Sequence, residues 1–150
     1  MNDIFEPESD HPLFRYFDSE ERNRIESLAE ETEIPQGEFL IRQGEKDSTL
    51  FSVESGLLEI VIEQGGTVNV LATVGTGDVL GEVSFIDDSP RSVSVRAGET
   101  TIVRAWNRDI LLTVLKSDPR LLSKFAVALS GLLVERLRDA VRRQGSFRPV

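Results

Sequence analysis

The order of apolar and polar positions divides the chain into a helical beginning, a strand-like middle and a helical end. Near the start, the stretch EERNRIESLAEET places Ile25 and Leu28 on one helical face. Asp18 or Ser19 can cap this helix, and two glutamates fall in its first turn. The pattern therefore predicts one N-terminal helix, preceded by a polar leader at residues 1–12.

From Glu38 onward the period changes to two, which is typical of strands. Turns that contain glycine separate the alternating runs, which are EFLIRQG, STLFSVESG, LLEIVIEQGG, TVNVLATVGTG, SVSVRA and TIVRAW. A repeat of about ten residues per strand and turn predicts a small antiparallel sandwich or barrel. Within it, EQGGTV is typical of a hairpin tip.

Helical periodicity returns near the end of the chain. Asn107 can cap NRDILLTVLKSDP, and Asp118 followed by Pro119 can begin a long final helix. The apolar stripe of that helix contains Leu122, Phe125, Leu129, Leu132 and Ala140. This order predicts an α+β fold, an antiparallel β-roll (a jelly-roll-like sandwich) flanked by an N-terminal helix and two C-terminal helices. We assign one domain to residues 13–144 and a frayed tail to 145–150.

Composition narrows the classes of function. The chain has 150 residues and a formal net charge of −9, which disfavours nucleic acid and anionic membranes as partners. It contains no cysteine and a single histidine, His11, so we expect no metal site, no triad and no catalysis. The acidic N-terminus and the short apolar runs predict a cytoplasmic protein without a signal peptide or a membrane span.

The segment LGEVSF interrupts the strand rhythm and contains the candidate chemistry. Gly81 permits a close backbone approach, and the next four residues can form a helical turn whose free N–H groups favour an anion. Arg91 supplies a planar fork suited to phosphate oxygens, and Ser92 can add a hydroxyl donor. The carboxylate of Glu82 can accept a hydrogen bond from a sugar hydroxyl. Together these groups suit a ribose joined to a phosphate.

A simpler interpretation of the same residues stays open. Arg91 can be a solvated or ion-paired strand residue, and a Gly-Glu pair is common before a strand. Asp87 and Asp88 lie between the two halves of the candidate site, and like charge near a phosphate disfavours binding. We expect these two aspartates to form a solvated turn.

The same segment resembles the phosphate-binding cassette of cyclic nucleotide-binding domains, the family of the catabolite activator protein and protein kinase A regulatory subunit type. The matching residues are Gly81-Glu82-Val83-Ser84-Phe85, a loop over 86–90, and Arg91-Ser92. PLFRYF, IPQGEFLIRQGEKDSTLFSVESGLLEI and LATVGTGDVLGE resemble the family's N-terminal helix, early strands and glycine turn. The likeness covers residues 13–143 and implies the family's β-roll.

Position by position, the resemblance implies roles for the cassette residues. Arg91 would pair with the phosphate of a cyclic nucleotide, and Glu82 would accept from the ribose 2′-hydroxyl. The backbones of Gly81, Val83 and Ser84 would line the same pocket.

Three further positions bear on the choice of ligand. Ser92 can touch the phosphate, and Val93 stands where the family usually has alanine, so its extra methyl groups can crowd the pocket. In the final helix, Arg136 lies near the position of the base, where it can stack on a base or pair with an acid. The resemblance favours cAMP over cGMP.

These observations lead to a regulatory domain that binds a cyclic nucleotide and relays binding through its C-terminal helices to a separate output protein. The alternative is a non-catalytic scaffold that keeps the fold but has lost nucleotide binding. A cupin-like enzyme lacks the histidines it needs. We expect a homodimer through the final helix, although its stripe can instead pack on its own β-roll. No helix-turn-helix follows that helix, so we expect no DNA binding.

Overall fold

A computed structural model describes residues 4–143; the predicted tail at 145–150 lies outside the described residues, as do residues 1–3 and 144. Contacts divide the described chain into a β unit, Glu30–Arg108, and a helical unit made of residues 4–29 and 109–143. Within the described residues, no helix is long and apolar enough to cross a membrane.

The β unit consists of two antiparallel sheets and one short helix. Over residues 30–108, all of them described, the strands are β1 (Glu30–Ile34), β2 (Phe39–Ile41), β3 (Leu50–Ser55), β4 (Leu57–Gln64), β5 (Thr67–Gly75), β6 (Val79–Leu80), β7 (Ser94–Ala97) and β8 (Thr101–Trp106); helix α2 is Glu82–Asp87. The strand orders are β1-β8-β3-β6 and β2-β7-β4-β5. Helix segments flank this unit in the chain, so the predicted α+β fold with an antiparallel β-roll is confirmed.

Apolar residues from strands of both sheets form one core. The buried cluster contains Ile34, Ile41, Phe51, Val53, Leu58, Ile60, Leu80, Val93, Val95, Ala97 and Val103. The alternation that predicted the strands is therefore the alternation of core-facing and outward side chains.

The predicted hairpin tip is confirmed. Strands β4 and β5 pair from Leu57↔Gly75 to Gln64↔Thr67. Gly65 and Gly66, with φ of 58° and 80°, form the connection between them. Positive φ at both central residues matches the right-handed twist of the strands and favours glycine.

The helical unit contains α1 (Ser19–Glu26), most of α3 (Arg108–Lys116) and α4 (Pro119–Arg142). Asp18 accepts a hydrogen bond from the Glu21 amide at 2.8 Å, while the Glu21 carboxylate accepts from the Asp18 amide at 3.0 Å. Asp118 caps α4 by accepting from the Leu121 amide at 3.2 Å. The caps predicted at Asp18 and Asp118 are confirmed, and the cap predicted at Asn107 stays a prediction.

Two boundaries near the N-terminus differ from the prediction. Helix α1 ends at Glu26, and Glu30–Ile34 forms β1, which pairs with β8 along its whole length. Only Ile34 of β1 is buried, so the glutamate-rich strand has no apolar alternation, and its tertiary pairing outweighs helix propensity. PLFRYF forms turns over residues 12–16 where the resemblance implied a helix.

The buried face of α4 also differs from the predicted stripe. Its buried residues are Leu121, Lys124, Phe125, Ala128, Leu129 and Ala140. Leu122 and Leu132 are only half-buried. Phe125, Leu129 and Ala140 are buried within the single chain, which corrects their assignment to a contact with a second copy.

Gly56, which connects β3 and β4, provides a test of the packing of this turn against the start of β8. Its φ is +107°, and a Cβ there would lie 2.7 Å from Thr101 Cα and 2.8 Å from the Thr100 carbonyl oxygen. We expect Gly56→Ala to lower the free energy of unfolding by about 3–4 kcal/mol, from backbone strain and a clash with rigid backbone atoms. Urea unfolding measures the change.

Gly37→Ala is the matched control, because Gly37 has φ +86° and nothing lies within 4 Å of the added Cβ. We expect it to cost only the backbone strain, about 1–2 kcal/mol. Equal effects of the two substitutions would contradict the proposed clash.

Candidate functional site

Gly81 positions the start of the short helix α2. It is the N-cap residue and has a left-handed conformation, with φ 83° and ψ 11°. A Cβ at this position would lie 2.6 Å from the Thr49 carbonyl oxygen and 2.7 Å from Arg91 Nη1. Only glycine fits both the conformation and the space. The predicted helical turn after the Gly-Glu pair is thus present, as α2.

The guanidinium of Arg91 lies directly beside this turn. Arg91 is 4% exposed. Its Nη1 donates to the Gly81 carbonyl at 3.3 Å, and its Nη2 donates to the Thr49 carbonyl at 2.7 Å and to Asp47 Oδ2 at 3.1 Å. The structure therefore brings the predicted glycine and arginine together, although they are ten residues apart in the chain.

The backbone of Arg91 is held independently of its side chain. The Arg91 amide donates to the Glu45 carbonyl at 2.8 Å, and the Arg91 carbonyl accepts from the Gly44 amide at 2.8 Å. The guanidinium carbon also lies 5.8 Å from the centre of the Phe51 ring. These contacts hold Arg91 at the cassette.

The Nε donor of this guanidinium is not used. Arg91 Nε is buried and has no hydrogen-bond partner among the described residues. A buried polar group without a partner costs about 1–3 kcal/mol. An anion that accepts from Nε would remove that cost.

The other cassette residues cluster at the start of α2 or flank Arg91. Glu82 and Ser84 are buried, at 0% and 4% exposure, and Val83 is half-buried. Ser92 is exposed. Val93 is buried and belongs to the core cluster of the β unit.

Asp47 completes the site, and the sequence interpretation missed it. It lies between β2 and β3 and forms the salt bridge to Arg91 across 44 positions of the chain. Asp47 Oδ1 also accepts from the Thr49 amide at 3.1 Å and the Thr49 hydroxyl at 2.8 Å. The Asp-x-Thr pattern is a signal for such a local turn. It carries no information about a partner so distant in sequence.

The charge state of Asp47 follows from these contacts. Partial burial raises its pKa, but the hydrogen bonds from Thr49 and the Arg91 guanidinium outweigh that effect. The net result is a pKa below the ordinary value of 3.8. Asp47 is therefore an anion at neutral pH and compensates the buried guanidinium.

Asp87 and Asp88 are exposed, as predicted for a solvated turn. Asp88 ends α2 with φ 56°, and its amide donates to the Ser84 carbonyl at 2.8 Å. The hydroxyl of Ser48 donates to the Asp88 carboxylate and lowers its pKa, as the hydrogen bond from Ser89 lowers that of Asp87. Both side chains are engaged with neighbouring serines.

Arg136 belongs to the helical unit, where it is half-buried on α4. Its predicted role at the base stays a prediction.

Comparison with known proteins identifies the family. The sequence profile described as "Cyclic nucleotide-binding domain" matches residues 31–118, more than half of the chain. This protein belongs to the cyclic nucleotide-binding domain family. The match begins with β1 and ends at the cap of α4, so it includes the whole cassette.

Individual proteins show the same relationship. The Cyclic AMP receptor protein of Thermus thermophilus is 33% identical over 130 residues, which cover 86% of this chain and 58% of the relative. A cAMP-dependent protein kinase regulatory subunit of Mycosarcoma maydis is 28% identical over 130 residues, covering 87% of this chain and 24% of the relative. The chain thus spans less than two thirds of either curated relative.

A solved structure gives a similar result for the fold. The crystal structure of a cyclic nucleotide-binding domain from Methylobacillus flagellatus has a TM-score of 0.79 and 29% sequence identity. The alignment covers 85% of this chain and 72% of that one. The β-roll is therefore that of the family. The two relatives described above are named as a receptor and as a regulatory subunit.

The pKa of Asp47 leads to a pH-dependent prediction. Because the folded-state pKa is lowered, the stabilisation is present above the unfolded pKa of about 4 and is lost as the pH falls through the folded pKa. We expect Asp47→Asn to lower the free energy of unfolding at pH 7 by about 1 kcal/mol, a value reduced by the partial exposure of Asp47. Urea unfolding at pH 7 and pH 3 should show this difference shrinking at the lower pH.

Glu45→Gln is the control, since Glu45 is an exposed acid in the same loop. Its effect should be close to zero at both pH values. A deficit for Asp47→Asn that is equally large at pH 3 would contradict the assignment.

Proposed function

We propose that this protein binds a cyclic nucleotide, cAMP in preference to cGMP, and that binding regulates a separate output protein. The observation that carries the proposal is the buried Arg91 guanidinium beside the Gly81 turn, with an unused Nε donor. A cyclic phosphate offers charged acceptor oxygens to such a fork. Family membership supplies the class of ligand.

Phosphate recognition would depend on the competition between Asp47 and the ligand. Arg91 has one carboxylate partner in its salt bridge, and the Asp47 side chain is 38% exposed. An arriving phosphate can accept from Nε and share or take the Nη2 donor, while Asp47 turns toward water. Because the Asp47 carboxylate is partly exposed, water can solvate it after release, and breaking its ion pair costs less free energy than for a fully buried carboxylate.

The remaining cassette residues suit the sugar. Glu82 begins α2 immediately after Gly81 and is fully buried. We assign it the ribose 2′-hydroxyl, and we assign the backbones of Gly81, Val83 and Ser84 to the pocket wall. Ser92, Val93 and Arg136 keep the roles that the family resemblance implies.

Two relatives support the preference for cAMP, since one is named a cyclic AMP receptor and the other belongs to a cAMP-dependent kinase. Regulation, rather than turnover, agrees with both names. We further propose that the protein acts in the cytoplasm and that the C-terminal helices relay the change, because a ligand shifts an equilibrium through different contacts in two states.

Calorimetric titration of cAMP and cGMP tests the proposal. We expect cAMP to bind more tightly than cGMP. We expect Arg91→Lys to weaken binding of cAMP by about 2–4 kcal/mol, since a point charge replaces the planar fork. Glu82→Gln should weaken binding through loss of the charged acceptor at the ribose.

Arg96→Gln is the matched control for Arg91→Lys. Arg96 lies on β7 and pairs with Glu59 at 2.9 Å, so its loss removes an arginine without altering the cassette. The Arg96→Gln variant should bind cAMP with the affinity of wild type. No binding of either nucleotide at millimolar concentration would favour the scaffold alternative, and tighter binding of cGMP would overturn the cAMP preference.

We also propose a homodimer through α4. The residues that would form its contact differ from those of the predicted stripe. Val127, Val134 and Val141 are spaced by seven, and Leu137 lies between the last two. All four are exposed: Val127 by 39%, Val134 by 46%, Leu137 by 52% and Val141 by 67%. β-Branched residues at one heptad position and leucine at the other favour a parallel two-stranded coiled coil.

Charge substitution on this seam tests the dimer. We expect Val134→Lys to convert the dimer to a monomer, since two lysines would face each other in the apolar seam. Sedimentation velocity measures the mass.

Glu135→Lys places the same side chain one residue away, at an exposed position outside the seam, and should stay dimeric. A wild-type protein that sediments as a monomer at 100 μM would contradict the proposal.

A further inference from the structure

A cavity of about 350 Å³ lies between the N-terminal segment, residues 10–16, and helix α4. All of its lining residues belong to the helical unit, and none of them belongs to the cassette. Ala128 and Gly131 line it from α4, and nothing lies within 4 Å of a Cβ built on Gly131. We call this cavity the α4 groove. Its volume lies at the lower end of the range of ligand pockets, about 300–1,000 Å³.

The N-terminal wall of the α4 groove is held in a fixed shape by hydrogen bonds. The amides of Glu8 and Ser9 both donate to the Arg15 carbonyl, at 2.7 and 3.3 Å. The Leu13 amide donates to His11 Nδ1 at 3.1 Å, and the Leu13 side chain is buried. A wall that is already ordered loses little conformational entropy when a ligand binds.

Tyr16 supplies an aromatic surface to the α4 groove. Its ring lies edge-on to that of Phe5, with the ring centres 5.7 Å apart. The guanidinium carbon of Arg15 lies 5.8 Å from the centre of the Tyr16 ring. On the opposite wall, Leu132 adds half-buried apolar surface from α4. The groove therefore suits a ligand with an aromatic body.

Each wall of the α4 groove also carries one carboxylate and one guanidinium. The N-terminal wall has Asp10 and Arg15, and α4 has Glu135 and Arg138. All four residues are exposed. Within the part of the chain that the structure describes, none of these four side chains forms a hydrogen bond or an ion pair. Both signs of charge are therefore available to a ligand in the groove.

We propose that the α4 groove binds a small aromatic zwitterion, the chemical class of a free aromatic amino acid. The carboxylate of this ligand accepts from Arg15 or Arg138. Its ammonium group donates to Asp10 or Glu135, and its ring lies against Tyr16. A ligand with a single charge would leave two side chains of the same sign beside it without a partner. This site goes beyond the proposed binding of a cyclic nucleotide and does not depend on it.

The α4 groove is a neighbour of the proposed dimer seam, and Val134 lines both surfaces. The other lining residues lie outside the four residues of the seam. A test of the groove must therefore follow residues that the seam does not contain, such as Tyr16 and Leu132.

Chemical-shift titration of the isotope-labelled full chain by NMR tests the site. The probes are L-phenylalanine, phenethylamine and hydrocinnamate, which share a ring and are a zwitterion, a cation and an anion. We expect L-phenylalanine to shift the amides of Tyr16 and Leu132, with a dissociation constant of about 1 mM or tighter for a ligand of this size. Each singly charged probe should bind about fivefold more weakly, because it loses one charged pair.

Gly131→Leu tests the position of the ligand. No atom stands in the way of a side chain at Gly131, and leucine favours a helix, so this variant should fill the groove without straining α4. We expect it to weaken binding of L-phenylalanine by at least about tenfold, since the two would compete for the same space. Gly131→Ala is the matched control and should bind within about threefold of wild type.

Two charge variants test the ion pairs. Glu135→Gln and Arg138→Gln should each weaken binding of L-phenylalanine by about fivefold. Arg142→Gln is their control, because Arg142 pairs with Asp139 at 3.1 Å and does not line the groove. The spread of amide signals verifies that each variant is folded.

Arg91→Lys separates this site from the cassette, and it should bind L-phenylalanine as wild type does. Three results would overturn the proposal. They are the absence of shifts at Tyr16 and Leu132 at about 20 mM L-phenylalanine, equal binding of the three probes, and equal effects of Gly131→Leu and Gly131→Ala. Shifts confined to the cassette would overturn it as well. None of these results changes the interpretation of the cAMP titration.

Discussion

The buried guanidinium of Arg91 is the interaction on which the candidate site depends. A charged group at 4% exposure is costly unless acceptors surround it, and three are present: the carbonyls of Gly81 and Thr49, and the carboxylate of Asp47. Asp47 and Thr49 come from the loop between β2 and β3, and Gly81 comes from the turn before α2. The need to satisfy one cation therefore fixes the relative positions of α2, the start of β3 and the loop before it.

The same requirement explains the backbone around the site. Gly81 must be glycine, because a side chain would collide with the Thr49 carbonyl and with the guanidinium. The loop between β2 and β3 brings Asp47 and Thr49 to Arg91, although they lie 44 and 42 positions away from it in the chain. Within the β-roll, this polar cluster leaves the buried Arg91 Nε without a hydrogen-bond partner among the described residues.

Sequence reasoning predicted the parts of this molecule whose signals are local. The Gly65-Gly66 pair marked the hairpin, and Asp18 and Asp118 marked two helix starts. It failed at β1, whose glutamates favour a helix and whose strand state depends on pairing with β8. It also missed the exposure of Val127 and Val134 on α4, because periodicity alone does not tell which of two apolar stripes is buried.

By itself, the sequence predicted the class of fold through alternation and turn chemistry, and its resemblance to a known cassette indicated the family, because all of these signals are short-range. Only the tertiary structure decided that Arg91 is buried, that Asp47 is its counter-ion and that Arg108 reaches the Phe85 carbonyl. The reason is physical. Each of these contacts joins residues from separate elements, and their meeting depends on how strands pair and pack rather than on any local preference.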